Sequence, residues 1–270
     1  MGVMEAVKKG FGITAKSLGL VVVLFVFNLI GNLLSMPFAA VTPGTNPTAQ
    51  LTAGALIFSL VYILVSIFFQ GASLAMVRDV IKEGKLKLAN FVSGGLKYYL
   101  KLFLLGLLII LIIAIIAVIA GLLVVITAPL NNSIVTAIAV IIAIAITVGA
   151  GIMYFLPLSL SPYALICEDL GVMDALKKSL KVAKTPFVRV FYILLLFVVL
   201  ILISLGIGFV VGFVVGLISF ALPVGAGKVL MAAATSAING YLGVVMMASF
   251  MVYYLSIAGS PAVADKSHKI

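Results

Sequence analysis

Charge is what this chain has least of. Asp, Glu, Lys and Arg make up only 9% of its 270 residues, where a soluble domain carries about 25%. With 65% hydrophobic residues and a mean hydropathy of +1.41, that scarcity excludes a soluble globular protein and a disordered one. Histidine is nearly missing. His268, close to the C-terminus, is the single copy, so neither a His-based triad nor a His-ligated metal cluster can be assembled. The lone cysteine, Cys167, cannot form an intramolecular disulfide and reads as a small apolar residue. The chain is therefore not expected to be an enzyme, and no catalytic, cofactor or metal-binding residue is assigned.

What the chain has instead is long apolar runs. Ionised side chains are costly in a hydrocarbon layer, so charge-free intervals delimit membrane spans. Between Lys16 and Arg78 lie 61 uncharged residues, and between Lys101 and Glu168 lie 66. Each interval exceeds one helix of about 20 residues, and each is broken by turn-forming residues, Pro37 to Gln50 in the first and Ala128 to Asn132 in the second. Arg189 to Lys228 and Lys228 to Asp265 supply one span each, divided near Pro223-Val224-Gly225. The expected architecture is an all-α polytopic membrane protein of six transmembrane helices, at about 17–36, 53–77, 100–127, 134–157, 188–220 and 229–257. A β-barrel is excluded, because segments such as Leu104 to Ile126 are apolar on every face rather than alternating.

Orientation follows from the basic residues. The loops 37–52 and 128–133 carry no charge and the third outer loop carries only Lys228, whereas the other sixteen of the seventeen Lys/Arg fall on the opposite side. The positive-inside rule makes that side cytoplasmic. With an even number of spans both termini are cytoplasmic, in the plasma (inner) membrane of a prokaryote. Ser17 to Met36 is too long for the apolar core of a signal peptide and reads as a retained span.

Three stretches of one membrane domain look alike, at about 4–77, 89–162 and 173–261. Met4-Glu5-Ala6-Val7-Lys8-Lys9 matches Met173-Asp174-Ala175-Leu176-Lys177-Lys178, and Gly95-Leu96 with Lys101 aligns on Gly10-Phe11 with Lys16. Tyr154-Phe155-Leu156 precedes Ser161-Pro162 with the spacing at which Tyr253-Tyr254-Leu255 precedes Ser260-Pro261. Each unit then reads as a short basic amphipathic helix followed by a hairpin of two spans. In the third, Met173, Leu176, Leu180 and Ala183 share one face, with Lys177, Lys178, Lys181 and Lys184 on the rest. Such a helix is expected to lie in the headgroup layer, apolar side down, as an orientation anchor or a sensor of anionic lipid headgroups.

The run Ala164-Leu165-Ile166-Cys167-Glu168-Asp169, ahead of Met173-Asp174-Ala175-Leu176-Lys177-Lys178-Ser179-Leu180, resembles a signature of one group of prokaryotic six-helix membrane families. The segment Val77 to Gly84, ahead of Phe91 and Gly94-Gly95, looks like its companion motif. The group includes the membrane domain attached to some bacterial glycerophosphodiester phosphodiesterases. The resemblance implies a fold and a membrane location. It implies no activity, since no catalytic domain accompanies these spans.

Inside the spans the polar residues are uncharged. Asn28 and Asn32 share a face of the first span, Gln70 ends the second, and Asn239 lies on the sixth. Such amides either bond helix to helix or line a substrate path. Gly208, Gly212 and Gly216 recur every four residues on the fifth span, as two overlapping GxxxG patterns, and are expected to pack closely within the chain. Adjacent Glu168-Asp169 diverge on a helix and read as solvated counter-charges to the neighbouring lysines. Gly225-Ala226-Gly227-Lys228 fails the phosphate-loop pattern, having Leu222 and Val229 where Gly and Ser or Thr are required. The net charge of +10 is explained by orientation, and without a recognition motif it does not indicate nucleic acid.

The expected function is a non-enzymatic integral membrane protein with a structural, accessory or membrane-organising role. Its partners would be the lipid bilayer, anionic headgroups on the cytoplasmic side, and proteins. The alternative is a facilitator-type transporter or channel for a neutral or lipidic solute, because proton coupling usually requires intramembrane ionisable groups.

Overall fold

The computed structural model describes residues 1–36, 53–127, 133–184 and 188–259. The breaks expected between spans at 37–52 and 128–132, the Ser260-Pro261 motif, His268 and the side chains of Ala183 and Lys184 lie outside the described residues. Among those described, the regular structure is helical throughout. Six helices are long and apolar enough to cross a membrane.

The chain opens with α1 (Val3–Lys16), which breaks at Ser17 into α2 (Leu18–Ser35). Next come α3 (Ala53–Glu83) and, through a 3₁₀ turn at Leu88–Asn90, α4 (Phe91–Thr127). The fourth span begins as α5 (Ser133–Ala150), widens to a π-helix over Gly151–Phe155, and continues as α6 (Leu156–Leu158) and α7 (Ser161–Cys167). Then follow α8 (Val172–Lys184), α9 (Val188–Phe220) and α10 (Val224–Ile257).

The apolar intervals locate the spans, but the helices outrun them. α3 continues through Arg78 to Glu83, and α4 starts at Phe91 rather than near 100. A charge marks where hydrocarbon ends; it does not interrupt a backbone ladder. α3 stops instead at Gly84, whose φ of 76° closes the helix with an N–H to the Val80 carbonyl. The widened turn before α6 has its cause in Pro157. That residue lacks an N–H, and its ring crowds the carbonyl four residues back. The Leu156 N–H accordingly reaches back five residues, to the Gly151 carbonyl.

Two compact units are present, Met1–Tyr99 with Leu196–Ile270, and Leu100–Leu195. In the first, α10 is the central element. It is 67% buried over its most apolar stretch, and α1, α2 and α3 pack against it. α1 turns Val3, Ala6, Val7, Gly10 and Thr14 inward, the i, i+3, i+4, i+7, i+11 face of a helix. The approach is close because glycines carry it. A Cβ on Gly10 would fall 2.1 Å from Ser249 Oγ, and one on Gly240 would fall 3.0 Å from the Phe25 nitrogen and 3.2 Å from the Val21 carbonyl oxygen. Aromatic rings fasten α2 to α3, with Phe27 stacked on Phe69 at 4.0 Å and on Tyr62 at 5.3 Å between centroids.

In the second unit α8 packs on α6 and α7 through Ala175, Leu176 and Ser179. Of the apolar face expected from the sequence, Leu176 is buried in that contact, Leu180 is half-buried and Met173 is 58% exposed. The small residues Ala175 and Ser179 let α8 approach α7 more closely than a Met/Leu face could. Buried Ser161 and Ser179 bond at 2.7 Å. Ser179 spends its one hydroxyl proton on the Leu176 carbonyl, so Ser161 is the donor of that pair.

Candidate functional site

The polar side chains of the spans divide into those that hold helices together and those that do not. Asn32 does. Its amide nitrogen donates to Ser236 Oγ at 2.9 Å, and Ser236 donates to the Ala232 carbonyl at 2.6 Å, a relay joining α2 to α10. Asn28 is half-buried and Gln70 exposed, and neither side chain has a hydrogen-bond partner among the described residues. Asn239 is likewise exposed and without a hydrogen-bond partner among the described residues, near the middle of α10.

Asn239 opens onto a cleft of about 430 Å³ between α9 and α10. Gly208, Val211, Gly212 and Ser204 form one wall, and Met231, Thr235, Asn239 and Met246 lie on the other. The glycines on α9 make no close crossing here. A Cβ on Gly208, Gly212 or Gly216 would meet nothing within 4 Å among the described residues. Tight approaches occur instead at Gly10, Gly19, Gly31, Gly95 and Gly240. Without side chains, Gly208 and Gly212 leave space rather than closing it.

Charged groups gather where the helices leave the apolar stretches. Arg78 donates from Nε and Nη2 to Asp79 Oδ1, at 3.0 and 2.8 Å, and from Nη1 to the hydroxyl of fully buried Tyr98 at 2.7 Å. That fork ties the end of α3 to the start of α4. Lys101 reaches Asp169 Oδ1 at 3.2 Å and the Leu170 carbonyl at 3.3 Å, and Lys178 pairs with Glu168. Asp169 adopts the left-handed conformation (φ 52°) that an Asp tolerates in the turn between α7 and α8. On α1 the Lys9 ammonium holds the Glu5 carboxyl below its usual range, and Glu83 raises Lys87. Glu168 and Asp169 thus serve separate lysines, and no group of three His, Cys, Asp or Glu able to hold a metal occurs among the described residues. Of the lysines proposed for the interface, Lys177 and Lys181 are exposed and Lys178 is half-buried against Glu168.

The sequence reading missed Ser236, Gly240, Gly10 and the Arg78–Tyr98 contact. One signal was available. α10 has the lowest mean hydropathy of the six spans, 1.6 against 3.6 for α4, and is the most buried. The least lipid-like helix is the one that the protein covers.

A family profile described as Domain of unknown function (DUF7847) matches residues 1–257. The chain belongs to this family. No curated protein and no solved structure is similar enough to count as a match. The family match covers both compact units and all six apolar helices, and carries no link to the phosphodiesterase-associated group.

Proposed function

We propose that the chain is a non-enzymatic, multi-pass protein of a prokaryotic plasma membrane that organises lipid or partner proteins, with both termini in the cytoplasm. In this reading three hairpins, each led by a basic segment, form one membrane domain of the kind resembled by the prokaryotic six-helix families. The observation that carries it is the use made of polarity. Where intramembrane polar groups meet, as Asn32 and Ser236 do, they join helix to helix. Where charges meet, they brace the helix ends beside the basic segments, as Arg78 does with Asp79 and Tyr98. These are the contacts of a scaffold. Exposed Lys8, Lys16, Lys177 and Lys181 remain to face anionic headgroups.

A facilitator for neutral or lipidic solutes is the second reading, favoured by the cleft that Ser204, Thr235 and Asn239 line. Vesicle swelling separates the two. Proteoliposomes placed in an iso-osmotic glycerol gradient are expected to swell no faster than protein-free vesicles. Rapid, protein-dependent swelling would overturn the organising role in favour of the facilitator.

A further inference from the structure

We propose that the cleft between α9 and α10 is a binding site for an uncharged, single-chain lipid bearing a hydroxyl or carbonyl oxygen. The inference deepens the proposed function and rests on its premise that the chain is embedded in a bilayer and acts on lipid.

Shape points to a single chain. The cleft runs along α10 from Met231 to Met246, about 22 Å at 1.5 Å per residue. Spread over that length, about 430 Å³ leaves the centres of water-sized groups a path about 4–5 Å wide, so with a radius of about 1.4 Å on each side the lining atoms stand roughly 7 Å apart. A transmembrane helix is about 10–12 Å across with its side chains and does not enter a slot of that width. A polymethylene chain, whose carbons contact neighbours at about 4 Å, does. The volume falls within the range of about 300–1,000 Å³ usual for ligand pockets, which are mostly apolar with a few convergent polar groups.

Chemistry points to one uncharged oxygen. Among the described residues no Asp, Glu, His, Lys or Arg lines the cleft, so none of them would neutralise a phosphate or an ammonium there. Thr235 and Asn239 lie four residues apart on one face of α10, and both are exposed to the cleft. Neither side chain has a hydrogen-bond partner among the described residues. An amide exposed to hydrocarbon is costly unless it is bonded. Asn239 offers a donor and an acceptor to a hydroxyl, and a donor to a carbonyl. Its depth narrows the choice further. A residue near the middle of the helix Val224–Ile257 lies far from either headgroup layer, beyond the ester oxygens of a phospholipid. The ligand must be able to carry its oxygen into the bilayer interior.

The protein contains no tryptophan, so Met231→Trp places a single fluorophore at one end of the cleft. In mild detergent, 12-bromododecan-1-ol is expected to quench it saturably and more tightly than 1-bromododecane, which has the same chain without the oxygen. Asn239→Leu in that background should weaken the alcohol about fivefold, the value of roughly one neutral hydrogen bond, and leave the bromoalkane unchanged. The unchanged bromoalkane reports that the cleft is still folded. Gly212→Phe should block both probes. Non-saturating, equal quenching by the two probes would overturn the site, as would an alcohol affinity indifferent to Asn239→Leu. Closure of the cleft by a second copy of the chain, seen as a dimer that excludes both probes, would overturn it too. Failure of the wider reading would look different: the protein would be released from membranes by carbonate, whatever the quenching shows.

Discussion

At the scale of single residues, two glycines on neighbouring helices carry opposite consequences. Gly240 sits against the backbone of α2, where a Cβ would lie 3.0 to 3.3 Å from Phe25 and Val21 main-chain atoms. Backbone in a helix cannot step aside as a side-chain tip can, so Gly240→Ala should force α2 and α10 apart. Overpacking of this kind costs about 1–3 kcal/mol, and the melting temperature in detergent should fall accordingly. Gly212→Leu meets open space and should leave it nearly unchanged. Equal losses in the two variants would show that α9 is packed more tightly than its geometry indicates. The GxxxG pattern at Gly208, Gly212 and Gly216 was legible in the sequence, but the pattern says only that a helix has room to be approached on that face. Which helix approaches is decided by the partner's surface, and a pattern within one helix does not contain it. Gly240 stands in no GxxxG pattern, only at the end of a run of small residues, Ala232, Ser236 and Gly240, spaced by four. It was hidden among the small residues that lower the hydropathy of α10.

At the scale of elements, the spans could be read because the hydrocarbon layer penalises charge, and that penalty is written directly in residue type. Helix ends and faces could not. α4 runs unbroken from Phe91 through Lys97 and Lys101 into its apolar stretch, whereas α1 and α2 break at Ser17. The contacts that the basic helices make with the rest of the chain were not legible either. α1 and α8 both turn their small residues, Ala6 with Gly10 and Ala175 with Ser179, onto neighbouring protein. Their lysines are left outward. On α1 this has a pH signature. Lys9 Nζ lies 2.9 Å from Glu5 Oε1 and depresses that carboxyl. A depressed carboxyl contributes stability above its unfolded pKa, and the contribution is lost as the pH falls through the folded value. Glu5→Gln should therefore melt slightly below the parent protein at neutral pH and converge with it in acid. The difference should be small, because the pair is exposed. A gap between the two melting temperatures that persists at pH 3 would mean that Glu5 acts through something other than its charge.

At the scale of the whole molecule, the distribution of charge sets the expected orientation. The described helices carry basic residues at α1, at the end of α3, at the start of α4, and around α8 and the start of α9, while Lys228 lies in the first turn of α10, between the fifth and sixth apolar stretches. A lysine resists translocation across the membrane during insertion, so an imbalance of sixteen to one among Lys/Arg sets a strong orientation. Six helices are long enough to cross, and if all six do, the chain returns to the side from which it started. A reporter active only in the cytoplasm, fused after Ile270, should therefore be active, and the same reporter inserted near Gly44 should be silent. A reporter that requires export should give the reverse. If the Ile270 fusion is silent while the Gly44 insertion is active, the orientation is inverted. If both are active, Leu18–Ser35 does not span, and the count of six falls with it. Neutralising the four lysines of α8 should not invert the topology, because the basic residues of α1 and of the α3–α4 junction would still hold the first four spans in place.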